Sequence, residues 1–214
     1  MLAVADAQAF ERCIAAGGVA VFPADTVYGL ACEPDSKVGF RRLYALKGRP
    51  PERPSAVMFF ALDLALEAVA GEFGPDTHRA VARLLPGPLT LVLPNPTRRY
   101  PLACGPQPER LGLRVPALSA ELSPLAAVSG PVLQSSANRT GGPDARRLAD
   151  VNPRIRRGVD VELDGGELPG TPSTVVDLTA FEGDGTFSVL REGAVTTRDV
   201  HLALINSSPP GPKG

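Results

Sequence analysis

Residues 7–30, Ala-Gln-Ala-Phe-Glu-Arg-Cys-Ile-Ala-Ala-Gly-Gly-Val-Ala-Val-Phe-Pro-Ala-Asp-Thr-Val-Tyr-Gly-Leu, decide the fold. From 7 to 16 the apolar residues recur at helical spacing, and Gly17-Gly18 ends that pattern. Residues 19–22 are then an unbroken apolar run halted by Pro23, which reads as a short buried strand. A helix that feeds a buried strand opens an α/β domain. Residues 28–32 offer a second strand. Between the two, the octet from Pro23 to Leu30 sets the small hydroxyl of Thr26 and the turn-forming Gly29 at a strand's carboxyl end, where α/β proteins collect ligands. The same octet also suits a plain strand-to-strand turn.

Outward from this segment the alternation continues. Residues 36–46 carry a Val38, Leu43 and Leu46 stripe, predicting a helix that delivers Lys47 at its end. Residues 47–54, Lys-Gly-Arg-Pro-Pro-Glu-Arg-Pro, then hold the cations Lys47, Arg49 and Arg53 on a proline-stiffened backbone. Such a segment can present positive charge to a polyanion at small entropic cost, though charge runs are also ordinary solvated surface. Strands are expected at 56–60, 89–93, 111–115, 132–135, 159–163, 174–178 and 187–190, and helices at 62–70, 77–85 and around 117–127, with a short one after 144. Residues 94–110, rich in Pro, Arg and Gly, read either as an ordered loop or as a mobile flap. With no repeat and no clean linker, the expectation is one α/β domain over residues 1–205, a twisted mixed sheet flanked by helices, followed by a disordered tail over 206–214.

Composition narrows the function. The 214 residues carry a net charge of −1, so a polyanion must be met by a local basic patch and not by the field of the whole molecule. With no Trp and three Tyr, aromatic stacking of single strands is disfavoured. Asp6, Glu11 and Arg12 fall within the first apolar pattern, so the N-terminus reads as an amphipathic helix instead of a signal peptide, and no later run approaches the roughly 20 apolar residues of a membrane span. A cytoplasmic protein with no membrane partner is expected. Cys13, Cys32 and Cys104 lack metal-ligand spacing and fit buried, reduced thiols. His78 and His201 both fall in helical patterns, which argues against a Ser-His-Asp triad or a histidine-rich zinc site, and a P-loop sequence is absent.

Beside the octet and the basic segment, two clusters remain. Ser135-Ser136-Ala137-Asn138 follows an apolar strand and offers hydroxyls and an amide to phosphate or ribose, although Ser and Asn there also serve as turn formers and caps. Arg114, Ser173 and Arg191 stand at later strand ends, where an arginine can be a ligand group or a structural ion-pair partner. Fixed cations and small donors with no nucleophile or histidine base suit nucleotidyl or phosphoryl transfer, in which the substrate brings the nucleophile and the protein supplies positioning and charge neutralisation.

The order of these clusters resembles the YrdC-type threonylcarbamoyl-adenylate synthases, from about residue 16 to 194. The resemblance rests on Pro-x-Asp-Thr-Val-Tyr-Gly-Leu, Leu-Lys-Gly-Arg-Pro, Pro-Gly-Pro-Leu-Thr-Leu-Val-Leu, Leu-Arg-Val-Pro, Ser-Ala-Asn, Pro-Ser-Thr-Val-Val-Asp and Leu-Arg-Glu-Gly, in that order. It implies a YrdC-like fold with a concave basic surface and a catalytic tetrad of Lys47, Arg49, Ser136 and Asn138. It further implies ATP on Lys47, Arg49, Arg53, Ser136, Asn138 and Arg191, threonine near Thr26, Arg114 and Ser173, and Mg2+ held mainly through the triphosphate. The implied reaction joins threonine and bicarbonate into a carbamate whose oxygen attacks the α-phosphate, releasing pyrophosphate. The product serves threonylcarbamoyladenosine modification of tRNA, which implies downstream threonylcarbamoyl-transferase proteins as partners and weak tRNA binding. The chain resembles the short, single-domain form, and Ala24, Met58 and Arg110 depart from residues common in relatives. Two other readings stay open: an RNA-binding module that uses the same basic concavity, and a carbamoyl-transfer paralogue with another substrate. Lys47 and Arg49 are both expected to face solvent.

Overall fold

A computed structural model describes residues 1–205, and the expected tail over 206–214 lies outside the described residues. A nine-stranded mixed sheet in the order β7-β1-β2-β6-β3-β5-β4-β8-β9 forms the backbone of the domain. The strands are β1 (Val19–Pro23), β2 (Tyr28–Cys32), β3 (Ala56–Met58), β4 (Leu89–Pro94), β5 (Arg110–Arg114), β6 (Val132–Ser136), β7 (Val161–Glu162), β8 (Thr174–Asp177) and β9 (Ser188–Arg191). Helix α1 (Val4–Ala15) packs on β1, α2 (Lys37–Lys47) on β1 and β2, and α5 (Pro101–Cys104) on β3 and β5. Helices α3 (Leu62–Ala68), α4 (Pro75–Leu84) and α7 (Thr197–Ile205) cluster together, and α6 (Pro153–Arg156) rests on α2.

The first hairpin forms as its residues dictate. Every residue of β1 and β2 is buried, which is why both read as unbroken apolar runs with no alternation. Farther along the sheet the pattern changes to period two. In β4, Leu89, Leu91 and Leu93 are buried while Thr90 and Val92 are half-buried, and in β5 the buried Leu111 and Leu113 flank the half-buried Gly112. One sheet face is therefore core there, and the other opens onto a cavity.

Three expectations are corrected. The buried stripe of α2 is Gly39, Phe40, Leu43, Tyr44 and Lys47, whereas Val38 is 64% exposed and Leu46 half-buried. The helix is rotated because Phe40 and Tyr44, four residues apart with tilted rings centred 4.1 Å apart, bury more surface than Val38 could. Residues 117–127 do not form an α-helix; only a 3-10 turn, Ser123–Ala127, appears there. Pro124, inside the segment, lacks the N–H that would bond the Ala120 carbonyl, so an i to i−4 ladder is broken there. The strand expected over 159–163 shrinks to Val161–Glu162, on a sheet edge beside β1.

Residues 94–110 form an ordered, packed segment. Asn95 is fully buried and donates to the Arg99 and Pro108 carbonyls at 2.9 and 2.7 Å, and Arg99 pairs with the buried Glu72 at 2.9 Å. All three cysteines are buried free thiols, and burial pushes Cys32 up to about 12 and Cys104 up to about 11.

Candidate active site

The open sheet face forms the floor of a cavity of about 290 Å³ lined by strands β3, β4, β5, β6, β8 and β9. Its walls carry Arg49, Arg110, Arg114 and Arg191 against the single lining carboxylate of Asp144 among the described residues. The strand order makes this possible. β6 lies between β2 and β3, which carries Ser136 beside Gly29 and Gln134 beside Ala56 although the partners are far apart in the chain.

At one end, α2 finishes in Gly48, whose left-handed φ of 61° turns the chain outward. The preceding Lys47 is 2% exposed, not solvent-facing as expected, because it continues the buried stripe of α2. Its ammonium donates to the Ser136 carbonyl, and at 2.9 and 3.1 Å to the Asn138 carbonyl and Asn138 Oδ1, which uses all three donors. Ser136 Oγ donates to Asn138 Oδ1 at 2.7 Å, and Asn138 Nδ2 to the Gly142 carbonyl at 2.6 Å. Lys47, Ser136 and Asn138 are thus one knot under the cavity rim. Burial, with the nearby Arg49 charge, pulls the Lys47 ammonium from its ordinary 10.5 down to about 8, against a smaller opposing pull from Asp144.

Arg49 stands beside this knot, half-buried, with Nη2 donating to the Pro54 carbonyl at 2.6 Å and its guanidinium 5.8 Å from the Tyr44 ring centre. Its Nε is buried with no partner. Arg53 is exposed and does not line the cavity.

The other end is built on Arg114, 3% exposed, which pairs with Asp25 at 2.7 Å and reaches Thr26 Oγ1 at 3.3 Å. Burial opposes charge on both partners, lowering Arg114 and raising Asp25, and their attraction offsets it. The Arg114 Nε is a second buried orphan. Ser173 bonds Thr90 Oγ1 at 2.9 Å and its carbonyl accepts from Arg191 Nη2 at 2.7 Å. Of the sequence-derived candidates, Arg49, Arg114, Ser136, Ser173 and Arg191 line one cavity; Thr26, Lys47 and Asn138 bond to groups of its wall; Arg53 stands apart.

Four residues of the site were given no binding role from sequence. Asp25 was inside the octet, and the need of a buried Arg114 for a counter-charge is the signal that points to it. Arg110, known only as a departure, lines the cavity and pairs with Asp177. Gln134 and Asp144 carried no signal, the first reading as one polar residue in an apolar strand.

The fold and site together define a mixed α/β domain whose open sheet face gathers four arginines around one hollow. The Sua5/YciO/YrdC family model, described as "Telomere recombination", matches residues 12–193, and the chain belongs to that family. The threonylcarbamoyl-AMP synthase of Chromohalobacter salexigens is 36% identical over 181 residues, covering 84% of this chain and 94% of that protein. That of Stenotrophomonas maltophilia is 38% identical over 155 residues, covering 70% and 81%. Among solved structures, P. abyssi Sua5 complexed with L-threonine superposes with a TM-score of 0.82 at 27% identity over 95% of this chain; the match spans 58% of that protein's length.

Proposed function

We propose that this chain is an L-threonylcarbamoyladenylate synthase, a nucleotidyltransferase that converts L-threonine, bicarbonate and ATP into threonylcarbamoyl-AMP and pyrophosphate for tRNA modification. The observation that carries the reading is one hollow with two kinds of anion anchor: the buried Arg114 with Thr26 and Ser173, and the Arg49 and Lys47-Ser136-Asn138 group. The names of the similar synthases support it.

Arg114, oriented by Asp25, takes the threonine carboxylate through its cavity-facing edge, and Thr26 and Ser173 supply short polar contacts to the rest of the amino acid. ATP lies toward Lys47, Arg49, Ser136, Asn138 and Arg191, with the exposed Arg53 meeting the outer phosphates. Carbamate and triphosphate repel each other, so attack requires the fixed cations that neutralise charge as the new oxygen–phosphorus bond forms and the bond to pyrophosphate breaks. Among the described residues no cluster of three or more His, Cys, Asp or Glu is available for a metal, and Asp144 is the lining carboxylate, so the residues fit Mg2+ held by phosphate oxygens and waters with at most Asp144 from the protein. Bound there, it would share the triphosphate charge.

The chain acts in the cytoplasm and hands its product to threonylcarbamoyl-transferase proteins. In the described residues no helix is long and apolar enough to cross a membrane. The test is pyrophosphate release from purified protein, which should require threonine, bicarbonate and ATP together. Release that ignores threonine overturns the assignment.

A further inference from the structure

Gln134 lies in the middle of the cavity floor, and no described residue accounts for it. It is 5% exposed and lines the cavity, and its carboxamide is not among the buried side-chain atoms left without a partner, which are Arg49 Nε, Thr77 Oγ1 and Arg114 Nε. With no side chain of the wall bonded to it, the amide offers a donor and an acceptor to whatever fills the cavity. The neighbouring strand leaves room for the group: a Cβ on Gly29 would stand 3.0 Å from Gln134 Nε2.

Register fixes where this amide sits. Met58 pairs with both Arg114 and Val132, so the row of the carboxylate anchor meets β6 at Val132. Ser136, beside the phosphate anchors, lies four residues farther on, about 13 Å along the strand. Gln134 is midway, on the same face of β6 as both. The small residues Ala56 and Gly112, in register with it across β3 and β5, keep the floor low on that row.

We propose that Gln134 recognises the carbamate group of the substrate, an assignment that rests on the synthase reading. A carbamate made from threonine presents an N–H and a carboxylate oxygen on one side. A carboxamide presents C=O and N–H in the matching order, so the two can form a pair of parallel hydrogen bonds. Threonine itself lacks the oxygen, and bicarbonate lacks the N–H. The pairing also leaves the second carbamate oxygen unengaged. That oxygen's lone pair forms the bond to the α-phosphorus, the bond to the bridging oxygen breaks, and pyrophosphate departs with its electron pair. Gln134 gains and loses no proton, so it positions the nucleophile and does not act as a base.

The test measures pyrophosphate release against bicarbonate at saturating threonine and ATP in wild type, Gln134→Met and Gln134→Glu. Loss of the amide should raise the bicarbonate KM about ten-fold or more in Gln134→Met and further in Gln134→Glu, whose carboxylate repels the carbamate. Binding of threonine without bicarbonate, and of an ATP analogue, should stay within about two-fold of wild type. In the wild-type protein the Gln134 side-chain amide resonances should shift when bicarbonate joins threonine, and not with bicarbonate alone. A bicarbonate KM unchanged in Gln134→Met, an equal loss of affinity for every substrate, or unmoved resonances would overturn the proposal. Should the variants fail to fold, the wild-type resonances decide. Wild type that releases no pyrophosphate with all three substrates rejects the synthase reading itself, a result separate from an active wild type matched by active variants.

Discussion

Arg114 and Lys47 are both cations sealed in the protein, and they are held in opposite ways. Arg114 has a carboxylate partner, so Asp25→Asn should leave a buried charge unpaired and lower unfolding stability by about 3–5 kcal/mol, measured by urea denaturation, with threonine binding weakened alongside. Lys47 has only neutral oxygens bonded to its ammonium, so burial and then the Arg49 charge pull it down to about 8. The unfolded chain therefore binds more protons than the native state between about 8 and 10.5, so stability should rise with pH across that interval by on the order of 1–3 kcal/mol. Comparison of urea midpoints with Lys47→Met, which lacks that rise, checks the sign. Turnover should move the other way, falling as pH passes about 8, since a neutral amine cannot offset phosphate charge. A pH–rate profile reads this directly.

At the scale of elements, the crossing of β8 and β9 is the tightest joint of the site. A Cβ on Gly193 would lie 2.2 Å from the Pro172 carbonyl oxygen and 2.8 Å from that of Ser173, backbone atoms that no rotamer change can move. Gly193→Ala should lower the thermal midpoint by several degrees and weaken threonine and ATP binding together, as measured by calorimetry, because Ser173 and Arg191 shift together. Local pattern made the elements legible: Tyr28–Cys32 is bounded by turn residues and apolar throughout, and the apolar run 89–93 follows Pro86-Gly87-Pro88. The phase of α2 was not legible, since choosing between the Val38 and Phe40 faces depends on the partner surface. Nor was the role of Gln134, which depends on β6 slotting between β2 and β3, a pairing between segments some hundred residues apart that no local spacing encodes.

Taken whole, the molecule is nearly neutral while its cavity gathers four arginines, each already engaged on one side: Arg114 by Asp25, Arg110 by Asp177, Arg191 by Ser173 and Arg49 by the Pro54 carbonyl. Such a field binds a compact polyanion in the hollow and a long one poorly. Affinity for a generic RNA duplex should drop about a hundred-fold between 50 and 200 mM salt in a filter-binding assay, while ATP-analogue binding declines far less. The interleaved strand order has one more result. Ser173 and Arg191 come in with the last two strands at the sheet's far edge, so a chain emerging from the ribosome lacks one threonine contact and one ATP contact until every other strand of the floor has been made. Nascent protein should consequently stay silent until the final hairpin docks, switching on in a single late event.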